Sequence, residues 1–181
     1  MPRKASDKRR VILVLGGARS GKSRFAQDYA ERHWKRPVYL ATAEISDDEM
    51  AERIRLHQRS RGRRWATREC PIEIAALLGS ARLRCDGILV DCLTIWLSNV
   101  LLKEGEKAFA RRRRELISAL KQRAHDIVLV SNEVGMGVVP PTPLGRTFRD
   151  LAGWLNQAVA AEADAVVFVV AGLPMVLKGM V

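Results

Sequence analysis

The sequence predicts an α/β fold, a mainly parallel central sheet with helices on both faces, and three observations carry that prediction. Apolar, β-branched runs recur at Val11–Leu15, Val38–Ala41, Gly87–Val90, Ile127–Val130 and Ala165–Val170, each separated from the next by material of helical periodicity. Such alternation marks parallel strands covered by crossover helices. The first run leads directly into Gly16-Gly17-Ala18-Arg19-Ser20-Gly21-Lys22-Ser23, which matches G-x-x-x-x-G-K-[ST], the P-loop string. At 181 residues the chain has room for one layered domain with a full core and too little for two ordinary ones.

The elements follow in order. Residues 1–10 form a basic arm, expected to be solvated and disordered, and residues 11–181 a single nucleotide-binding domain. The apolar run behind the arm ends within a few residues in glycines, which does not read as a signal peptide. Val11–Leu15 is the first strand. After the P-loop, Phe25, Ala26, Tyr29 and Ala30 fall at helical spacing, so Ser23–Arg32 supplies the helix the motif requires. Val38–Ala41 is the second strand. Ser46-Asp47-Asp48-Glu49 is a capping box that starts a helix running to about Ser60, stopped by Gly62, with Met50, Ile54 and His57 on one face. Pro71 opens a short helix through Leu78, Gly87–Val90 is a strand, and Thr94–Leu102 and Arg111–Arg123 read as longer helices. Beyond the strand Ile127–Val130, the Gly/Pro-rich segment from Gly135 to Pro143 forms a loop on the side where open α/β sheets bind ligands. Phe148, Leu151, Ala152, Leu155 and Val159 make Leu144–Glu162 an amphipathic helix before the last strand, Ala165–Val170.

Composition narrows the function classes. A hydrophobic fraction of 48% with 28% charged residues describes a soluble globular protein. No apolar run approaches the roughly 20 residues of a membrane helix, so stable membrane insertion is not expected. Cys70, Cys85 and Cys92 are odd in number, widely spaced and without a CxxC pair, which fits a reducing cytoplasm better than a disulfide or zinc framework. The net charge of +11 is arginine-rich: Arg53, Arg55, Arg59, Arg61, Arg63, Arg64 and Arg68 form one cluster without an intervening acid, and Arg111–Arg114 a second. The first could bind anionic ligands, while the second reads as an exposed helical face. Nucleic acid is a disfavoured partner, because base-stacking aromatics are missing from the basic stretch except for Trp65.

The chemistry-bearing residues start with the P-loop. Glycines let backbone N–H groups face phosphate oxygens, the helix N-terminus adds partial positive charge, Lys22 neutralises the outer phosphates, and the Ser23 hydroxyl can ligate Mg²⁺. Asp91 ends an apolar strand, where P-loop proteins hold Mg²⁺ or its water shell; the competing role is N-cap of the next helix. Glu133 ends the following strand on the same side, as a general base, a metal ligand, or a loop carboxylate paired with arginine or solvent. His57 leads from the capped helix into the arginine-rich loop. A neutral imidazole is nucleophilic near pH 7, yet a lone histidine on a helix face is more often structural. His33 and His125 lack comparable surroundings and read as structural.

These residues assemble into an ordered set. The P-loop through Arg24, Tyr39–Ala43, Asp47–His57, Trp65–Glu69, Val90–Thr94, Ser131–Pro140, Phe148–Gln157 and Val170–Pro174 resemble the bifunctional adenosylcobinamide kinase/adenosylcobinamide-phosphate guanylyltransferase of cobalamin biosynthesis. The resemblance covers nearly everything after Arg10. It implies phosphorylation of the aminopropanol hydroxyl of adenosylcobinamide with ATP or GTP, then transfer of GMP from GTP to adenosylcobinamide phosphate through a guanylylated histidine, which is His57 here. It further implies nucleotide contacts at Gly16–Ser23, at Ala41, Thr42 and Ala43, at Gln58, Arg59, Ser60 and Arg61, at Glu69 and at Asp91. A RecA-like fold and a homotrimer are also implied. Two rival readings stay open: a P-loop small-molecule or nucleotide kinase without a covalent intermediate, and a nucleic-acid-stimulated ATPase.

Overall fold

A computed structural model describes residues 9–44, 62 and 64–181. The helix expected over 46–60, most of the basic arm, and His57, Gln58, Arg59, Ser60 and Arg61 lie outside the described residues. The elements are β1 (Val11–Gly16), α1 (Lys22–His33), β2 (Pro37–Ala41), β3 (Ala66–Glu69), α2 (Ile74–Leu78), β4 (Gly87–Asp91), α3 (Leu93–Glu104), α4 (Glu106–Gln122), β5 (Asp126–Asn132), α5 (Pro143–Glu162), β6 (Ala165–Val170) and β7 (Leu173–Lys178). The strands form one seven-stranded sheet in the order β3-β2-β4-β5-β1-β6-β7. Every pairing is parallel except that of β6 with β7.

Strand periodicity explains how both faces are covered. All six residues of β1 are buried. Val11, Leu13 and Leu15 pack with α2 to α5 through Ile74, Leu93, Leu116 and Leu155, among others. Ile12 and Val14 face the opposite way, where α1 contributes Ala26, Tyr29 and Ala30, and Trp34 follows. Gly87 is required beneath Trp34, since a Cβ there would stand 2.1 Å from the indole Cε2. Helices therefore lie on both faces, as the runs of continuous apolar residues predict.

Two strands escape the sequence pattern. In β3 all four residues are exposed, so no apolar alternation marks it; its backbone pairing with β2 makes it a strand. Edge strand β7 is exposed along its whole length and turns back antiparallel through Ala171 and Gly172, both at positive φ. Helix α4 starts at Glu106, five residues before the run that suggested it, because Gly105 with φ 82° ends α3 and permits an abrupt change of direction. Helix α5 has Pro143 in its first turn, and the Thr142 side chain accepts the Gly145 N–H at 3.1 Å, a capped start.

The second arginine run departs from the expected exposed face. Arg112 is buried, 8% exposed, between α2, α3 and α4. Its guanidinium donates to Glu104 through Nε at 2.9 Å and Nη2 at 2.5 Å, to Glu73 at 2.8 Å and to Glu115 at 3.2 Å. Arg111 is exposed and pairs with Glu104 and Glu115. The Arg112 hydrogen bond holds the Glu104 carboxyl below the ordinary carboxylate range. A lowered folded-state pKa stabilises above the unfolded value, and that contribution is lost as pH falls through the folded one. Replacing Arg112 with Ala is therefore expected to lower stability near neutral pH, by less than loss of a fully buried pair would because its carboxylates reach solvent. Urea midpoints measured at neutral pH and below the carboxylate range should show the deficit shrinking in acid; a constant deficit would mean the side chain acts by packing alone.

The other two histidines are each held by neighbours, His33 at the surface and His125 in the interior. The His33 ring stacks on Tyr29 at 4.1 Å, and His125 is buried with Nε2 2.8 Å from the Ser80 carbonyl. Among the described residues no helix is long and apolar enough to cross a membrane.

Candidate active site

The P-loop residues leave the carboxyl end of β1 and enter α1, whose N-cap is Gly21 with φ 95°. Three backbone bonds fix the loop. Ser20 N–H donates to Gly17 O at 3.3 Å, Gly172 N–H from the β6–β7 turn donates to Ser20 O at 2.8 Å, and Glu133 N–H donates to Gly16 O at 3.2 Å. Two positions admit only glycine. A Cβ on Gly16 would meet Val169 O at 2.6 Å, and one on Gly21 would meet Gly172 Cα at 3.2 Å on a left-handed backbone. Gly17, Ala18 and Arg19 are exposed at the loop's outer curve, so the cradle opens to solvent. Lys22 reaches back along it, donating from Nζ to Gly17 O at 3.0 Å.

Sheet order brings the carboxylates to this loop. Strand β5 lies between β1 and β4, with Gly16 level with Asn132 and Asp91 level with Val130. Glu133 therefore leaves the sheet between the P-loop and Asp91. Strands spaced about 4.8 Å apart put the β4 terminus roughly 10 Å from that of β1. Asp91 is not the helix cap: the N-cap of α3 is Cys92, and the Asp91 carboxylate instead accepts from the Tyr39 hydroxyl at Oδ2, 3.1 Å away. Burial pushes the Cys92 thiol up to about 11; Asp91's charge adds to this and Lys22's opposes it.

Glu133 is held on both sides. Its Oε1 accepts the Gly135 N–H at 3.0 Å, and Asn156 Nδ2, 3.5 Å from Oε2, also donates to Asn132 O at 3.1 Å. Asn156 comes from α5 and is 5% exposed. Thr94 ties α3 to the same strand end, with its Oγ1 accepting the Asn132 N–H at 2.8 Å and lying 3.3 Å from Ser131 Oγ.

Ala41 closes β2 at the same edge of the sheet, and Thr42 and Ala43 follow it. The Thr42 side chain is fully buried and turned inward: its hydroxyl donates to Cys92 O at 2.9 Å and accepts the Cys92 N–H at 2.8 Å. This locks the ends of β2 and β4 together and leaves Ala41 and Ala43 as the partly exposed surface. Glu69 is exposed at the end of β3, in the row Glu69, Ala41, Asp91 set by strand register. Four strand spacings separate β3 from β1, roughly 19 Å, so Glu69 stands well away from the phosphate cradle. The structure thus gathers Gly16–Ser23, Asp91, Glu133 and Ala41–Ala43 at one edge, with Glu69 at its far end. Tyr39, Thr94 and Asn156, which hold these groups, lie in segments that carry the family resemblance, but their supporting roles show only in the contacts they make at the strand termini.

The donor set suits a hard divalent cation. A Ser23 hydroxyl and an Asp91 carboxylate, one oxygen of which already receives the Tyr39 phenol, are oxygen ligands of the kind Mg²⁺ takes while keeping most of its waters.

A glycine-rich loop between strand and helix, a lysine folded along it, and carboxylates at the ends of β5 and, one strand further, β4 define a P-loop nucleoside triphosphate-binding protein. Residues 12–177 match the family model for cobinamide kinase / cobinamide phosphate guanyltransferase, CobU. The chain belongs to that family. It is 47% identical to the bifunctional adenosylcobalamin biosynthesis protein CobP of Pseudomonas aeruginosa over 92% of this chain and 96% of that one. The corresponding CobU proteins of Salmonella typhimurium and Escherichia coli are 40% and 38% identical, each over 93% of this chain and 99% of theirs.

Proposed function

We propose that this protein phosphorylates adenosylcobinamide with ATP or GTP and then transfers GMP from GTP to adenosylcobinamide phosphate, giving adenosylcobinamide-GDP through a guanylylated His57. The observation that supports the kinase step best is positional: β5 inserts Glu133 between the P-loop and Asp91, so the phosphate cradle adjoins a candidate base. Family membership over residues 12–177 supplies the substrate class.

In the kinase step the acceptor hydroxyl oxygen attacks the γ-phosphorus and the bond from that phosphorus to the β-bridging oxygen breaks. Glu133 takes the hydroxyl proton, and Lys22 with the α1 N-terminus stabilises the nucleoside diphosphate that departs. In the transfer step an imidazole nitrogen of His57 attacks the α-phosphorus, pyrophosphate leaves, and a phosphate oxygen of the acceptor then displaces the histidine. In this reading the arginine-rich stretch that follows His57 in the sequence would supply positive charge against the repulsion between an anionic acceptor and a polyphosphate. Ser23 and Asp91 would hold Mg²⁺, which when bound neutralises polyphosphate charge. Gln58, Arg59, Ser60, Arg61, Ala41–Ala43 and Glu69 complete the nucleotide contacts in this reading, which also takes residues 11–181 as a single domain, a homotrimer as the assembly and the cytoplasm as the location.

The test uses GTP labelled at either phosphorus. With adenosylcobinamide as acceptor, γ-label should appear in adenosylcobinamide phosphate and α-label in adenosylcobinamide-GDP. Movement of γ-label alone would reduce the protein to a kinase, and nucleic-acid-stimulated hydrolysis with no transfer would replace the reading altogether.

A further inference from the structure

We infer that Tyr39 is a positioning residue for the metal-holding carboxylate: its phenol fixes one oxygen of Asp91 and thereby presents the other to a cation bound with the nucleotide. This rests on the reading of Asp91 as a metal-holding residue. Asp91 comes at the last position of β4, and Tyr39 is two residues before the end of the neighbouring β2. Register puts Tyr39 level with Leu89 and Ala41 level with Asp91, so the phenol reaches diagonally toward the sheet's carboxyl edge. Its hydroxyl donates to Asp91 Oδ2 at 3.1 Å.

The tyrosine is placed to hold that geometry rigidly. It is 5% exposed, packed in the α1-side core with Val130, Leu89 and Cys92. Trp65 stands edge-on to its ring, centroids 6.1 Å apart, and the indole N–H is itself fixed by Glu31 Oε1 at 2.9 Å. An aspartate at a strand terminus would otherwise rotate freely about its terminal torsion, which is broad and roughly two-fold. A charge-assisted hydrogen bond from a buried donor selects one orientation. One residue past the carboxylate the Thr42–Cys92 pair locks the same two strand ends, so the backbone carrying Asp91 is fixed independently of Tyr39. Removing only the phenol oxygen should thus free the carboxylate without moving the strand.

The experiment measures how strongly Mn²⁺ tightens binding of a non-hydrolysable GTP analogue, comparing Kd with the cation and with chelator, for the wild type, Tyr39→Phe and Asp91→Asn. Phe keeps the ring contact with Trp65. The expected result is that the cation-dependent gain in affinity drops about tenfold in Tyr39→Phe, as loss of a hydrogen bond to a charged group predicts. Affinity in chelator and the melting temperature should stay near wild type, and Asp91→Asn should lose at least as much of the gain. An unchanged gain in Tyr39→Phe beside a lost gain in Asp91→Asn overturns the role of Tyr39 and leaves Asp91 in place. An unchanged gain in Asp91→Asn overturns the metal reading, and the inference with it. Equal weakening with and without cation makes Tyr39 a packing residue and also overturns the proposal.

Discussion

Replacing His57 with Asn is expected to abolish label transfer from α-labelled GTP to the protein while leaving γ-phosphoryl transfer to adenosylcobinamide close to wild type. An imidazole with an ordinary pKa of about 6.5 is mostly neutral at pH 7 and offers a nitrogen lone pair, which an amide of similar size does not. The wild-type label should survive denaturation, resist alkali and be lost in acid, the behaviour of a phosphorus–nitrogen bond. The kinase step needs no such nitrogen, because its acceptor hydroxyl attacks the γ-phosphorus directly. Production of adenosylcobinamide-GDP should therefore fall to background in the variant while adenosylcobinamide phosphate accumulates. Label retained on the variant would place the nucleophile elsewhere. Loss of both transfers would mean that the substitution damages the common nucleotide platform.

The P-loop and its flanking elements were legible because their signal is local: a glycine string, an apolar run before it and a helical repeat after it, which the structure reproduces as β1, the loop and α1. Asp91 and Glu133 were legible as carboxylates closing apolar runs, but their alternatives were not separable without neighbours. The hydrogen bond from Tyr39, fifty-two residues away in sequence, distinguishes Asp91 from a helix cap. Likewise Arg112 sits in a run that looks solvated until Glu73, thirty-nine residues earlier, is brought against it. Strands β3 and β7 carry no buried alternation, since each is an exposed edge whose identity comes from backbone pairing. What the sequence hid is thus of one kind, contacts between residues far apart along the chain that only the sheet order brings together.

That sheet order gives Glu133 its sharpest test. Replacing Glu133 with Gln is expected to lower the kinase kcat by about a hundredfold or more, within the usual range for loss of a general base, with KM for the nucleotide little changed. Gln keeps a carbonyl oxygen for the Gly135 N–H and leaves the Glu133 N–H bond to Gly16 O in place, so the loop geometry should persist. Guanylylation of His57 supplies its own lone pair and requires no proton removal from an acceptor hydroxyl, so protein labelling from α-labelled GTP should proceed at nearly the wild-type rate. The two activities are then separated by the chemistry of their nucleophiles although they share a phosphate cradle: His57→Asn removes one, and Glu133→Gln the other. A kinase rate unaffected by Glu133→Gln would leave the carboxylate only the work of closing its loop. A parallel fall in both activities would instead mean that Glu133 supports nucleotide binding through the P-loop carbonyl it touches.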